Sequence, residues 1–150
     1  MLPQSESIAK NYLTQNGYSG NTLQEVLSGF DFRFAIYEQQ LFVGDVIYQF
    51  VRTPSAGDLS PRLGNWFCRP GATLDSLAVI SGGAGRIAAK VKVVCPVVAL
   101  EGTASPQNVN WSWSGGGSGG GTQSFLPSHC LMYAVTVVGF QLDVRGVIQA

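Results

Sequence analysis

Hydrophobic residues recur at helical spacing over residues 1–30, where two helices are predicted. The first runs through Leu13 and ends at Gly17, because glycine readily adopts the left-handed conformation that closes a helix. The second covers residues 23–28 and is capped by Asn21 or Thr22. The N-terminal part of the chain is therefore expected to be helical.

Alternating apolar and polar residues, typical of β-strands, fill most of the remaining chain, and a third helix is predicted after Thr73. One long β-run is interrupted at Pro96, which removes a ladder hydrogen bond and favours a bulge or an edge position. The predicted strands cover residues 32–36, 46–52, 65–68, 86–100 and 131–144. Because helices and strands do not alternate as in a Rossmann sheet, the pattern predicts an α+β fold with a twisted, mostly antiparallel core.

Length and composition predict one domain over residues 1–150, with a helical part at 1–30 and a β-rich core at 31–150. Nine basic and nine acidic residues balance, so nothing favours binding to nucleic acid or to an anionic membrane. Only 12% of the residues are charged. Such an apolar surface suits a protein that is covered by a protein partner for part of the time.

Neither a signal peptide nor a membrane span is predicted, since the apolar stretches are too short to cross a bilayer. The three cysteines, Cys68, Cys95 and Cys130, form no CxxC pair and are interpreted as reduced and free of metal. His129 is the single histidine, and it directly precedes Cys130. A nucleophilic triad is therefore not expected.

A glycine-rich tract at residues 115–123 ends on Gln123 and lies between Trp113 and Phe125. Such a tract is either a flexible linker or a loop whose backbone approaches a ligand closely. If the tract is a ligand-binding loop, Gly121 and Thr122, which directly precede Gln123, are candidate substrate-binding positions.

Several other side chains have both a functional and a structural interpretation. Arg52 ends an apolar strand and could bind a phosphate or form a surface ion pair. Trp66 and Phe67 could stack on a ring or belong to the core. Gln123 could bind a ribose or lie exposed in a loop, and Glu101 is a strand-end carboxylate that could act on a substrate or be merely solvated.

Taken in order, five short motifs resemble C-terminal toxin modules of the ADP-ribosyltransferase-like superfamily. The closest subset is the NAD glycohydrolase toxins related to the tuberculosis necrotizing toxin. The resemblance extends from Tyr48 to Pro127, about half of the chain. The motifs are residues 48–52, 64–67, 71–75, 101–107 and 119–123.

The resemblance implies a cleft between two small sheets that clamps NAD+ as a substrate, with no further cofactor and no metal. It implies that Arg52 contacts the phosphates, that Trp66 or Phe67 lies near the nicotinamide, and that Gln123 replaces a catalytic glutamate. Arg69 and Glu101 are further candidates. Since a glutamine occupies the position of the transferase acid, hydrolysis is expected rather than transfer.

The predicted function is therefore that of an NAD+ or NADP+ glycohydrolase toxin that depletes dinucleotide in the cytoplasm of a target cell. Upstream domains of a larger secreted or contact-delivered bacterial protein would deliver it, and an immunity protein would occlude its cleft. The alternatives are a protein mono-ADP-ribosyltransferase and a non-catalytic module that binds a ligand or a peptide.

Overall fold

In the computed structural model, residues 3–52, 63–68, 86–105 and 121–141 are described. Over these ranges the chain forms three helices and seven strands, in an order that starts with helices and continues with sheet. The helices are α1 (Pro3–Gln15), α2 (Gly20–Leu27) and α3 (Ser128–Leu131). The strands are β1 (Tyr37–Leu41), β2 (Val46–Arg52), β3 (Trp66–Cys68), β4 (Arg86–Val93), β5 (Val97–Thr103), β6 (Thr122–Phe125) and β7 (Val135–Gln141).

The seven strands form one antiparallel sheet in the order β1-β5-β6-β3-β2-β4-β7. The predicted α+β fold with an antiparallel core is confirmed, but the described strands do not separate into two sheets. A single backbone pair, Tyr48 with Cys68, joins β2 to β3. We therefore describe the sheet as a first half (β1, β5, β6, β3) and a second half (β2, β4, β7).

The two halves curl toward each other and enclose a common apolar cluster. Leu41 on β1 and Val93 on β4 belong to this cluster, although about 24 Å would separate their strands in a flat sheet at about 4.8 Å per strand. The turn after β1 also bonds directly to β4, since the N–H of Gly44 donates to the carbonyl of Val93 at 2.9 Å. We call the enclosed side the concave face. Its buried residues come from both halves: Leu41, Phe67, Val97, Ala99, Ile47, Ala89, Val91 and Val93.

Helices α1 and α2 cover the opposite face of the first half. A second apolar cluster forms there, with Leu13 and Leu27 from the helices and Leu100 and Phe125 from the sheet. The hydroxyl of Tyr12 donates to the carbonyl of Val98 at 2.6 Å and ties α1 to β5. Burial raises the pKa of this phenol above its ordinary value. The predicted helical part thus packs on the sheet.

Two local predictions near the N-terminus are wrong. Helix α2 begins at Gly20 with Ser19 at the N-cap position and no side-chain capping bond, so Asn21 and Thr22 lie inside the first turn. The strand predicted at residues 32–36 is a turn, because the carboxylate of Asp31 binds both the backbone N–H and the guanidinium of Arg33. The same hydrogen bonds lower the pKa of Asp31.

Other strand predictions are confirmed with adjusted ends. Residues 46–52 form β2 as predicted, and the long run splits around Pro96 into β4 and β5. The last predicted strand begins later, at Val135 in β7, because residues 128–131 form α3, and its predicted end at residue 144 lies outside the described residues. The helix predicted after Thr73 lies outside the described residues, as does most of the glycine tract.

No helix among the described residues is long and apolar enough to cross a membrane.

Close packing at Gly102 gives a direct test of this arrangement. A Cβ atom there would lie 2.9 Å from Cγ1 of Ile36 and 3.0 Å from Cδ1 of Phe30. We expect Gly102→Ala to lower the free energy of unfolding by about 1–3 kcal/mol, because both neighbours are buried and cannot move away freely. Gly139→Ala is the control, since a Cβ at this strand position meets nothing within 4 Å. Equal urea midpoints for the two variants would contradict the packing of residues 30–36 on β5.

Candidate functional site

A carboxylate and a hydroxyl lie side by side on the concave face of the first half. Glu101 on β5 pairs with Ser124 on β6, and paired residues of an antiparallel ladder point to the same face. Ala99 precedes Glu101 by two positions and is part of the concave cluster, so Glu101 shares its face. Glu101 is only 6% exposed. Charged residues are almost never buried to this extent unless they are paired or hydrogen-bonded.

Three further polar residues surround this pair. Thr103 pairs with Thr122 two positions along the same strands, and Tyr37 on β1 pairs with Glu101 from the other side. Tyr37 and Thr122 are exposed, whereas Glu101 and Ser124 are buried. We call these five residues the polar corner: Tyr37, Glu101, Thr103, Thr122 and Ser124. A solute can reach the corner at its exposed residues, and hydroxyl and carboxylate oxygens suit the recognition of a polyhydroxylated group such as ribose.

The end of the glycine tract belongs to the sheet. The carbonyl of Gly121 accepts the N–H of Ala104 at 2.8 Å, and Thr122 and Gln123 continue as β6. Of the predicted substrate-binding positions, Thr122 therefore lies in the polar corner and Gly121 beside it. Gly121 is hydrogen-bonded to the neighbouring chain segment, and Thr122 and Gln123 begin β6. The interpretation of the tract as a flexible linker therefore does not hold for this end.

Gln123 lies on the opposite, helix-covered face. Its side chain is 6% exposed, and its Nε2 donates to the carbonyl of Gly29 at 2.6 Å. The same carbonyl accepts the N–H of Ser105 at 3.0 Å, so the end of α2 is fixed to both β5 and β6. The alternative that Gln123 lies exposed in a loop is wrong, because it is a buried strand residue with a hydrogen-bond partner.

Trp66 and Phe67 point to opposite faces, as adjacent strand residues should. Phe67 is 1% exposed and belongs to the concave core, so it is not placed to stack on a ligand. Trp66 is half-buried and packs edge-to-face between Phe30 and Phe125, with ring centroids 5.1 and 5.0 Å away. Its ring is so close to Gly29 that a Cβ there would be 2.8 Å from Cζ2. The ring-stacking role of Trp66 stays a prediction.

Arg52 is the last residue of β2, and its backbone pairs with that of Arg86. Arg69 lies outside the described residues. The phosphate-binding roles that the sequence indicates for them stay predictions.

The cysteines and the histidine do not form a catalytic pair. Cys68 and Cys130 are buried free thiols, and burial raises the pKa of Cys68 to about 12, so this thiol is protonated at neutral pH. His129 is exposed on α3 and lines a separate pocket of 370 Å³ with Tyr18 and Ser128. The polar corner is therefore the candidate site that the structure supports.

Residues of the concave face were only partly predictable. Glu101 and Thr122 are among the sequence candidates, while Tyr37, Thr103 and Ser124 are not. The pairing of β1, β5 and β6 brings these residues together over long sequence separations. The sequence does contain one signal for the position of Glu101. Alternate strand residues share a face, so the series Val97, Ala99, Glu101 places a carboxylate on an apolar face.

Comparison with known proteins identifies the fold. No protein-family model and no curated protein matches the chain. A chain in the structure of Tse6 in complex with Tsi6 matches with a TM-score of 0.66 and 19% identity, covering 95% of this chain and 96% of that one. This fold occurs in toxin–immunity complexes. A chain in the complex of Rhs1-CT with its cognate immunity protein RhsI1 matches with a TM-score of 0.53 and 19% identity, over 84% of this chain and 89% of that one.

The hydrogen bond of Gln123 predicts a loss of stability on substitution. In Gln123→Ala, the Gly29 carbonyl loses one donor and a buried volume is emptied, so we expect the free energy of unfolding to fall by about 1–3 kcal/mol. Gln24→Ala is the control, because Gln24 is exposed on α2. Chemical denaturation of both variants measures the difference. A Gln123→Ala variant as stable as the Gln24→Ala control would show that the buried bond contributes nothing.

Proposed function

We propose that this protein is the toxin module of a toxin–immunity pair and that it hydrolyses NAD+ or NADP+ at the polar corner. The likeness to a chain of the Tse6–Tsi6 complex over 95% of this chain supports the toxin–immunity context. The ordered sequence motifs support the choice of NAD+. The observation that carries the assignment of the site is the buried carboxylate of Glu101 among hydroxyls on the concave face.

The proposed reaction breaks the bond between the nicotinamide nitrogen and C1′ of the ribose. The bonding electrons leave with the nicotinamide, which becomes neutral, and a water oxygen bonds to C1′. The products are nicotinamide, ADP-ribose and one proton. Because the leaving group carries a positive charge at the start, no general acid is needed, and the protein has chiefly to stabilise the positive charge that develops on the ribose.

Glu101 is suited to stabilise that charge. A carboxylate that is 6% exposed interacts with a nearby cation more strongly than one in bulk water, since the surrounding dielectric constant is lower. Its backbone is fixed by ladder bonds to β1 on one side and β6 on the other. The group is thus held in place before the substrate arrives, which is the condition for efficient electrostatic catalysis.

The hydroxyls of the corner complete this assignment. Ser124 lies directly opposite Glu101, and Thr103 and Thr122 form the pair two ladder positions further along. Their hydroxyls can hydrogen-bond the ribose or the incoming water. In this proposal Glu101 takes the role that the sequence resemblance assigned to Gln123, whose amide is held by Gly29 on the other face.

The biological proposal follows from the same comparisons. Upstream domains would deliver the module to a target cell, where it would deplete dinucleotide in the cytoplasm. The producing cell would protect itself with an immunity protein. The Rhs1-CT structure, which contains a cognate immunity protein, supports a partner of this kind.

A buried glutamate also favours one alternative, a protein mono-ADP-ribosyltransferase. The same carboxylate could orient a protein nucleophile instead of water, and the first bond broken would be unchanged. The acceptor alone distinguishes the two activities.

Incubation of the purified protein with NAD+ labelled in its adenosine part separates these functions. Equal amounts of nicotinamide and free ADP-ribose are expected for hydrolysis. Label that becomes attached to protein would support transfer. Unchanged NAD+ would contradict both activities and would favour a non-catalytic binding module.

Replacement of Glu101 by glutamine tests the assigned site. The change keeps the shape of the side chain and removes its charge, so we expect kcat of the folded variant to fall by about 100-fold. Glu38→Gln is the control, because Glu38 is an exposed glutamate on the neighbouring strand β1 and lies next to Tyr37 in sequence but on the other face. Full activity in a folded Glu101→Gln protein would remove the polar corner from the mechanism.

A further inference from the structure

Two of the three cysteines are held by the same residue, where the turn between β4 and β5 meets the end of α3. The N–H of Cys95, in that turn, donates to the carbonyl of Ala134 at 3.4 Å. The N–H of Ala134 donates to the carbonyl of Cys130 at 2.9 Å and closes one helical turn of chain. The backbones of Cys95 and Cys130 are thus joined through Ala134, although the glycine tract separates the two cysteines in sequence.

The side chains of these cysteines share apolar surroundings and one phenol. Cys130 is buried in the concave cluster, and Cys95 is partly buried and packs against that cluster. The hydroxyl of Tyr133 donates to Sγ of Cys130 at 3.7 Å, and this hydrogen bond is the main cause of a raised pKa of Tyr133. Cys95 raises the same pKa electrostatically. Both thiols therefore lie near the Tyr133 phenol.

The third cysteine is directed elsewhere. Phe67 faces the concave cluster, so the adjacent Cys68 points to the opposite face of the sheet. Its thiol donates to the carbonyl of Tyr48 at 3.4 Å, and burial raises its pKa to about 12. Cys68 is therefore an unreactive thiol within the same chain, against which the other two can be compared.

We propose that Cys95 and Cys130 are a modification site, at which the two thiols form an intramolecular disulfide by exchange with a small disulfide such as oxidised glutathione. The Cα atoms of a disulfide lie about 4.4–6.8 Å apart, and two backbones held by one shared residue meet at this scale. The inference is independent of the proposed reaction on NAD+.

The exchange proceeds in two steps. The thiolate of Cys95, the more accessible of the pair, attacks one sulfur of oxidised glutathione, and a glutathione thiolate leaves. Cys130 then loses its proton and its sulfur attacks that of Cys95, which releases the second glutathione. Two protein thiols are oxidised to one disulfide, and one oxidised glutathione is reduced to two thiols. The Tyr133 hydroxyl assists the second step, because a hydrogen-bond donor stabilises a thiolate.

The position of the bond in the sequence determines its effect on stability. The loop that it closes contains the glycine tract of residues 115–123, and glycine-rich chain has the most conformational freedom when unfolded. A cross-link across such a loop restricts the unfolded chain strongly. The disulfide would therefore stabilise the protein under oxidising conditions, and reduction would remove this stabilisation.

The test is oxidation of the folded protein with glutathione disulfide, followed by denaturation, alkylation of the remaining thiols and peptide mapping by mass spectrometry. We expect one disulfide between the peptides of Cys95 and Cys130, with Cys68 alone alkylated. Treatment with dithiothreitol should return three alkylated cysteines. The urea midpoint of the oxidised protein should exceed that of the reduced protein by about 1 M or more.

Two serine variants define the pair. In Cys130→Ser the second step cannot occur, so Cys95 should retain one glutathione and the urea midpoint should not rise. Cys68→Ser is the matched control, because it removes a thiol from the other face and should form the same disulfide as the wild type.

Three results would overturn the proposal. The first is a folded wild-type protein that keeps three free thiols or retains glutathione on Cys95. The second is a disulfide that includes Cys68 or forms only in urea. The third is a Cys95–Cys130 disulfide that lowers the urea midpoint, since the native structure would then have to distort to accommodate it.

Discussion

Burial of one apolar cluster between two halves of the same sheet is the constraint on which the other features depend. The halves are joined at β3 and β2 by a single backbone pair, and the direct bonds between the turn after β1 and strand β4 hold the curl in place. Once the concave face is defined, strand alternation decides the environment of each residue. Phe67 becomes core, Gln123 turns toward the helices, and Glu101 faces the concave side.

The helix-covered face is built for close approach rather than for binding. Gly29 and Gly102 leave no room for a side chain, and the rings of Trp66 and Phe30 fill the space above them. The amide of Gln123 closes this region by binding the Gly29 carbonyl. A residue in such surroundings contributes to stability, and the amide of Gln123 ties the segment after α2 to β6.

On the concave face a group of polar residues lies beside the apolar cluster. It consists of a carboxylate with hydroxyls on β5 and β6 and the exposed Tyr37 on β1. Such oxygens suit the recognition of a sugar, which is why the proposed substrate is assigned to this face. Chains of toxin–immunity complexes share the fold.

The sequence by itself determined the α+β class, the extent of β2, the break at Pro96 and the helical N-terminal part, because these depend on local periodicity and on proline and glycine chemistry. It also indicated Glu101 and Thr122 as candidates. Only the tertiary structure decided that the strands form one curled sheet, that Gln123 is buried and Trp66 half-buried on the helix side, and that Tyr37 and Ser124 share a face with Glu101. These outcomes depend on strand pairing between distant segments, and a shift of one residue reverses the face of every side chain that follows.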